Sequence, residues 1–152
     1  EVSYGRSPPE AASWREHMAR EVSLDPARVH FTGKLPYARY LALLQVSSLH
    51  IYLTVPFVLS WSCLEAMSAG CLVLASDTAP VAEAIAEGAN GLLCDFHPPA
   101  DIADRAAAAL AARAELAPLR KAARQTVLDR YEVSRCLPAQ MRLVEEVAAM
   151  RA

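Results

Sequence analysis

Residues 51–80 read IYLTVPFVLSWSCLEAMSAGCLVLASDTAP, and this stretch decides the fold. Residues 49–55 (LHIYLTV) are rich in β-branched and aromatic residues and read as a buried strand. Residues 62–69 are predicted helical, closed by Gly70, because a residue just past a helix end takes a positive φ that glycine tolerates best. Residues 72–75 are a second apolar strand, and residues 77–80 turn the chain into a helix over 81–86. Strand, helix, strand is the repeating unit of a parallel sheet, since two parallel neighbours need a crossover between them.

The pattern extends in both directions. Upstream, residues 1–7 read as a loop with an abrupt start. A helix over 10–22 follows Pro8 and Pro9, with Ala11, Trp14, Met18 and Val22 at helical spacing, and Asp25-Pro26 ends it. Residues 29–32 are expected as a strand broken by Gly33, and 37–46 as a helix with Tyr40, Leu41 and Leu44 on one side. Downstream, Asn90-Gly91 marks a turn before a strand at 92–94. Beyond Pro98-Pro99 come three helical stretches, at 100–113, 119–131 and 138–151; alanines 106–109 are helix-favouring composition. The strands are nearly all apolar, as expected when both faces of a sheet are covered. The fold class is therefore α/β with a parallel sheet. Four strands are few for a complete doubly wound domain, and an initial βαβ unit upstream would complete it. Residues 1–152 are read as one partial domain with a helical tail at 114–152.

Composition narrows the function. A chain of 152 residues buries one sizeable core. A formal charge of −2 without Lys/Arg clusters leaves no footprint for nucleic acid. No apolar run reaches the roughly 18 residues of a membrane span, and residue 1 opens no signal-peptide pattern. Cys63, Cys71, Cys94 and Cys136 form no CxxC pair, and no histidine stands at ligand spacing from them; buried, reduced thiols and a cytoplasmic location are expected. No Ser-His-Asp or Cys-His pairing, GxGxxG or P-loop is present.

Ligands of open α/β sheets bind beyond the carboxyl ends of the strands, where helix N-termini present N–H groups suited to phosphate or sugar oxygens. Ser60 and Ser62 stand at such a helix start and can cap it. Glu65 lies in or just after the first turn, where a carboxylate either accepts the two donors of a ribose diol or simply complements the helix dipole at the surface. Trp61 either stacks on a sugar or packs the loop. Asp77 serves turn chemistry or a donor hydroxyl, and His50 is a core histidine or a neighbour of the site.

The segment LEAMSAGCLVLASDTAPVAEAI…GANGLL resembles the signature of group 1 glycosyltransferases, and VHFTGKLPYARYLALLQVSSLHIYLT follows that family's strand, glycine, helix, strand order. The resemblance runs from about Val29 to Arg130. It implies a Rossmann-like three-layer domain, the C-terminal, nucleotide-sugar-binding half of a GT-B fold. By position it makes Glu65 the carboxylate on the donor ribose. The backbone N–H groups of Ser60, Trp61, Ser62 and Cys63 would face the hexose and diphosphate, and Gly33, Lys34 and Leu35 would lie beside the base. Glu83 matches a recurring acidic position, with a structural role at a helix start expected.

Two departures stand out. The family's first glutamate, eight positions before the ribose-binding one, is here Phe57, which leaves the catalytic residue unknown. The cationic pair on the diphosphate belongs to an earlier segment absent from this sequence, and Arg6 and Lys34 are poorly placed to replace it. The resemblance implies transfer of a hexosyl group from a nucleoside diphosphate sugar, such as a UDP- or GDP-hexose, with retention. No cofactor and no metal are expected, and an N-terminal acceptor domain of the same parent is the expected partner, without which this chain is inactive. The alternative is a catalytically silent sugar-nucleotide-binding or scaffold domain of the same fold.

Overall fold

The computed structural model describes residues 8–54 and 58–150. It comprises two compact units, Glu1–Arg39 and Tyr40–Ala152.

In the first unit, α1 (Trp14–Glu21) begins where Ser13 supplies a cap, its hydroxyl accepting the Glu16 N–H at 3.1 Å. That side chain, rather than the upstream prolines, sets the start, four residues later than the apolar spacing predicts. The strand expected at 29–32 does not form. The Val29 N–H is spent on the Asp25 carbonyl at 2.9 Å, and residues 28–34 are all exposed. A strand needs a neighbour to take its N–H and C=O groups, so an apolar pattern without a partner stays irregular. Three strands, not four, are present among the described residues.

After α2 (Tyr37–Val46), the second unit runs β1 (His50–Tyr52), α3 (Trp61–Ser68), β2 (Val73–Ser76), α4 (Ala79–Ala82), β3 (Leu92–Cys94), α5 (Pro99–Ala111), α6 (Ala117–Arg130) and α7 (Val133–Ala149). The strands form one parallel sheet in the order β1-β2-β3. His50 pairs with Val73 and Tyr52 with Ala75, while Leu74 pairs with Leu92 and Ser76 with Cys94. Central β2 is buried at all four positions, as an apolar run covered on both faces should be. Edge strand β1 departs from that expectation, with Ile51 exposed.

α3 ends as its sequence requires. Gly70 has φ +76°, its N–H bonds the Met67 carbonyl at 3.0 Å, and the Cys71 N–H reaches back to Ala66 at 3.0 Å. This paired arrangement satisfies carbonyls that a helix end leaves open. Cys63, Ala66 and Met67 turn inward from α3 onto Cys71, Val73 and Ala75, and Ala123 of α6 joins the same core. α6, within the stretch read as a helical tail, packs on α3. Its Arg120 Nε donates to the Gly70 carbonyl at 2.7 Å, and Arg124 donates to the Ser68 carbonyl. α7 begins five residues before Pro138, because the Glu132 carbonyl accepts the N–H groups of Arg135 and Cys136 at 3.0 Å. Pro138 therefore lies inside the helix. Cys63, Cys71 and Cys94 are buried free thiols, as expected, whereas Cys136 is only half-buried.

Candidate functional site

The site region is assembled at the carboxyl ends of β1 and β2. Tyr52 closes β1 with its ring buried, and its hydroxyl accepts the Ser60 N–H at 2.9 Å. The loop leaving the sheet is thus tied back to the strand at the residue where the next helix begins. The strand ends are tied to each other as well. Ser76, fully buried, accepts the Thr54 N–H at 3.1 Å and donates to the Thr54 carbonyl at 3.2 Å.

Ser60 is the N-cap of α3, and its Oγ accepts the Ser62 N–H at 3.3 Å. The Ser62 hydroxyl lies 3.1 Å from the Ser60 hydroxyl, and the Cys63 N–H bonds the Ser60 carbonyl at 3.1 Å. The amides of Ser60, Ser62 and Cys63 therefore have partners within the protein. The Ser62 bond is the longest and so the easiest to exchange for a ligand oxygen.

Glu65 follows Trp61 by four residues and shares its helix face, opposite the inward set of Cys63, Ala66 and Met67. Helical Cα–Cβ bonds tilt toward the N-terminus, so the Glu65 side chain leans toward the start of α3. It is half-buried, and its carboxylate makes no hydrogen bond or ion pair with a described residue. Trp61 is 81% exposed, so it does not pack the loop. Cys63 is buried with its thiol pushed up to about 12 by desolvation, which leaves only its backbone to face a ligand.

A family model described as glycosyl transferases group 1 matches residues 11–126, more than half of the chain. The chain belongs to this family.

Solved structures share the fold of this group 1 glycosyltransferase domain. Sucrose-phosphate synthase from Thermosynechococcus elongatus matches with a TM-score of 0.78 and 23% identity, covering 96% of this chain and 38% of that one. HepE from Anabaena, solved with UDP-glucose, matches at 0.74 and 18% identity over 89% of this chain and 36% of its own. The C-terminal domain of the group 1 protein LpcC from Francisella tularensis matches at 0.64 and 18% over 78% of this chain. The chain thus spans little more than a third of the first two, and its fold is the GT-B C-terminal domain that the resemblance implies. No curated protein matches it.

The remaining expected residues of the glycosyltransferase domain are placed as follows. Phe57 lies outside the described residues, as does Arg6. Gly33 has φ +61° and is exposed, Lys34 is exposed and Leu35 half-buried, all in the first unit. Glu83 corrects its expected role: it is the C-cap of α4 instead of a residue at its start, because Pro80 at the second position places the helix earlier. Its backbone carbonyl accepts Arg130 at 2.8 Å. His50 opens β1, at the amino end of the strand and away from the site, and desolvation lowers its pKa.

A cavity of about 460 Å³ lies beyond β2 and β3, lined by Asp77, Glu87, Asp95, Asp101 and Arg105 among others. Its four carboxylates outnumber its one guanidinium: Arg105 meets Glu87 at 3.0 Å, and the Asp101 carboxylate accepts the Asp95 N–H at 2.9 Å. Asp77 is exposed there, and its own N–H donates to the Cys94 carbonyl at 2.8 Å. Among the described residues no group of His, Cys, Asp or Glu is arranged to hold a metal ion, and no helix is long and apolar enough to cross a membrane. The sequence reading missed Tyr52 and Ser76. The signal for Ser76 was available: it is the polar residue that closes the run LVLA.

Proposed function

We propose that this domain holds a nucleoside diphosphate sugar at the carboxyl ends of β1 and β2, for transfer of its hexosyl group with retention. The observation that carries the reading is the Glu65 carboxylate: half-buried, without a described partner, and set one turn into a helix whose capped start faces the strand ends. A ribose diol offers two donors to it. Family membership makes glycosyl transfer the chemistry, and a structural relative holds UDP-glucose.

On this reading the exposed Trp61 ring lies against the sugar. The Ser60 and Ser62 hydroxyls and the Ser62 N–H, which give up weak mutual bonds, meet its hydroxyls or the diphosphate, and the Cys63 backbone completes the helix mouth. Departure of the diphosphate is favoured by the positive end of α3, together with cations from the rest of the parent. No cofactor beyond the donor is needed. The acceptor site belongs to an N-terminal domain, so the 152 residues alone transfer no sugar, and the parent works in the cytoplasm.

The test is donor affinity in the full-length parent by calorimetry. Glu65→Ala should weaken UDP- or GDP-sugar binding by about tenfold or more, the loss expected for hydrogen bonds to a charged acceptor. Unchanged affinity contradicts the assignment. Phe57, standing where the family carries a glutamate, favours a second reading in which the domain binds sugar nucleotide without turnover. Donor binding by the intact protein with no transfer across donors and acceptors would select it.

A further inference from the structure

We propose that the second unit carries an anion site for a phosphoryl group at the end of the sheet opposite the donor crevice. Ser47 and Ser48 precede β1 and Leu72 precedes β2, so the cavity of about 350 Å³ that they line opens at the amino ends of the strands. Its other wall is Arg113, Ala117 and Arg120, from the α5–α6 turn and the first turns of α6. Among the described residues no carboxylate lines it.

The charge balance favours an anion. Two guanidiniums contribute two full positive charges, against roughly half a negative charge from each of the C-terminal ends of α2 at Val46 and of α5 at Ala111. Arg120 is held in place by its Nε bond to the Gly70 carbonyl at 2.7 Å, which leaves its two terminal nitrogens to meet a ligand. Arg113 makes no hydrogen bond or ion pair with a described residue, so its whole fork is available. The start of α6 adds no donors of its own. The Ala117 N–H goes to Ala114 at 3.3 Å, the Leu119 N–H to Leu116 at 3.1 Å, and Pro118 has none. Ser47 likewise spends its proton on the Leu49 carbonyl at 2.9 Å. The two arginines, with the exposed Ser48 hydroxyl beside them, are therefore the recognition elements. Paired guanidiniums select tetrahedral dianions, phosphate or the phosphoryl group of a small metabolite, over monovalent anions.

The experiment is equilibrium dialysis of the intact protein with labelled inorganic phosphate at constant ionic strength. Saturable binding to one site is expected, weakened about tenfold in Arg113→Gln and partly restored in Arg113→Lys. Arg113→Gln removes no hydrogen bond or ion pair with a described residue, so its fold should be intact, which circular dichroism checks. Glu65→Ala, and a saturating nucleoside diphosphate, should leave phosphate binding unchanged. Competition by glucose 6-phosphate then distinguishes a phosphorylated metabolite, if it binds tighter, from free phosphate, if it binds more weakly; either result supports the site. No saturable uptake, equal affinity in Arg113→Gln, or displacement by the nucleoside diphosphate would each overturn it. None of these outcomes depends on whether Glu65 binds ribose.

Discussion

The Tyr52 hydroxyl ties the end of β1 to the start of α3 by accepting the Ser60 N–H. Its loss leaves the Ser60 N–H without that acceptor and frees the loop that carries the cap. Tyr52→Phe should cost about 1 kcal/mol of stability in urea unfolding and weaken donor binding roughly threefold to tenfold in the intact protein. Equal donor affinity would show that the tie does not position the site. His50 carries a separate prediction. Burial lowers its pKa from 6.5, so between that value and the folded one the unfolded chain binds more protons. Its contribution to stability is full above the unfolded pKa and is lost as pH falls through the folded one. The urea midpoint should decline between about pH 7.5 and about pH 5.5, with a smaller slope in His50→Gln. Equal slopes would assign the pH dependence to other groups.

Among the elements, α3 was the most legible, because every cue for it is local. Ser60 caps it, the apolar residues recur at helical spacing, and Gly70 ends it; the observed bounds differ from the predicted ones by one residue at each end. The strand at 29–32 was misread for the opposite reason. Valine and phenylalanine there satisfy the pattern, but pairing depends on what lies beside them, which no local window contains. The amide partner of Ser60 was equally invisible, since it depends on how the loop returns to Tyr52. The turn after α4 belongs between these cases: Asn90-Gly91 was readable as a turn, but not the reason for its asparagine. The Asn90 amide accepts the Ala86 N–H at 2.7 Å and donates to the Ala84 carbonyl at 3.0 Å and the Thr126 hydroxyl at 2.9 Å, joining the turn to α6. Asn90→Ala strands these groups in a buried position and should cost about 2–3 kcal/mol in urea unfolding. A loss within experimental error would show that water replaces the amide.

At the level of the whole molecule, burial is unevenly shared. β2 and the inner face of α3 are sealed, with Val73, Leu74, Ala66 and Met67 at 2% exposure or less, whereas no described side chain of α7 is buried. Local opening follows such differences, so hydrogen exchange at the amides of β2 and α3 should be slow and approach the global unfolding limit. The amides of α7 should exchange much faster. Uniform protection across α7 and β2 would mean that α7 has packing partners in solution.

The central claim is that Glu65 binds the donor through its ribose diol, and a thermodynamic cycle tests it most directly. Affinities of the preferred nucleoside diphosphate and its 2′,3′-dideoxy analogue would be measured on the intact protein and on Glu65→Ala. If the carboxylate and the diol meet, removing either weakens binding, and removing both costs little more than removing one. Strictly additive losses, or no effect of Glu65→Ala on either ligand, would contradict the account.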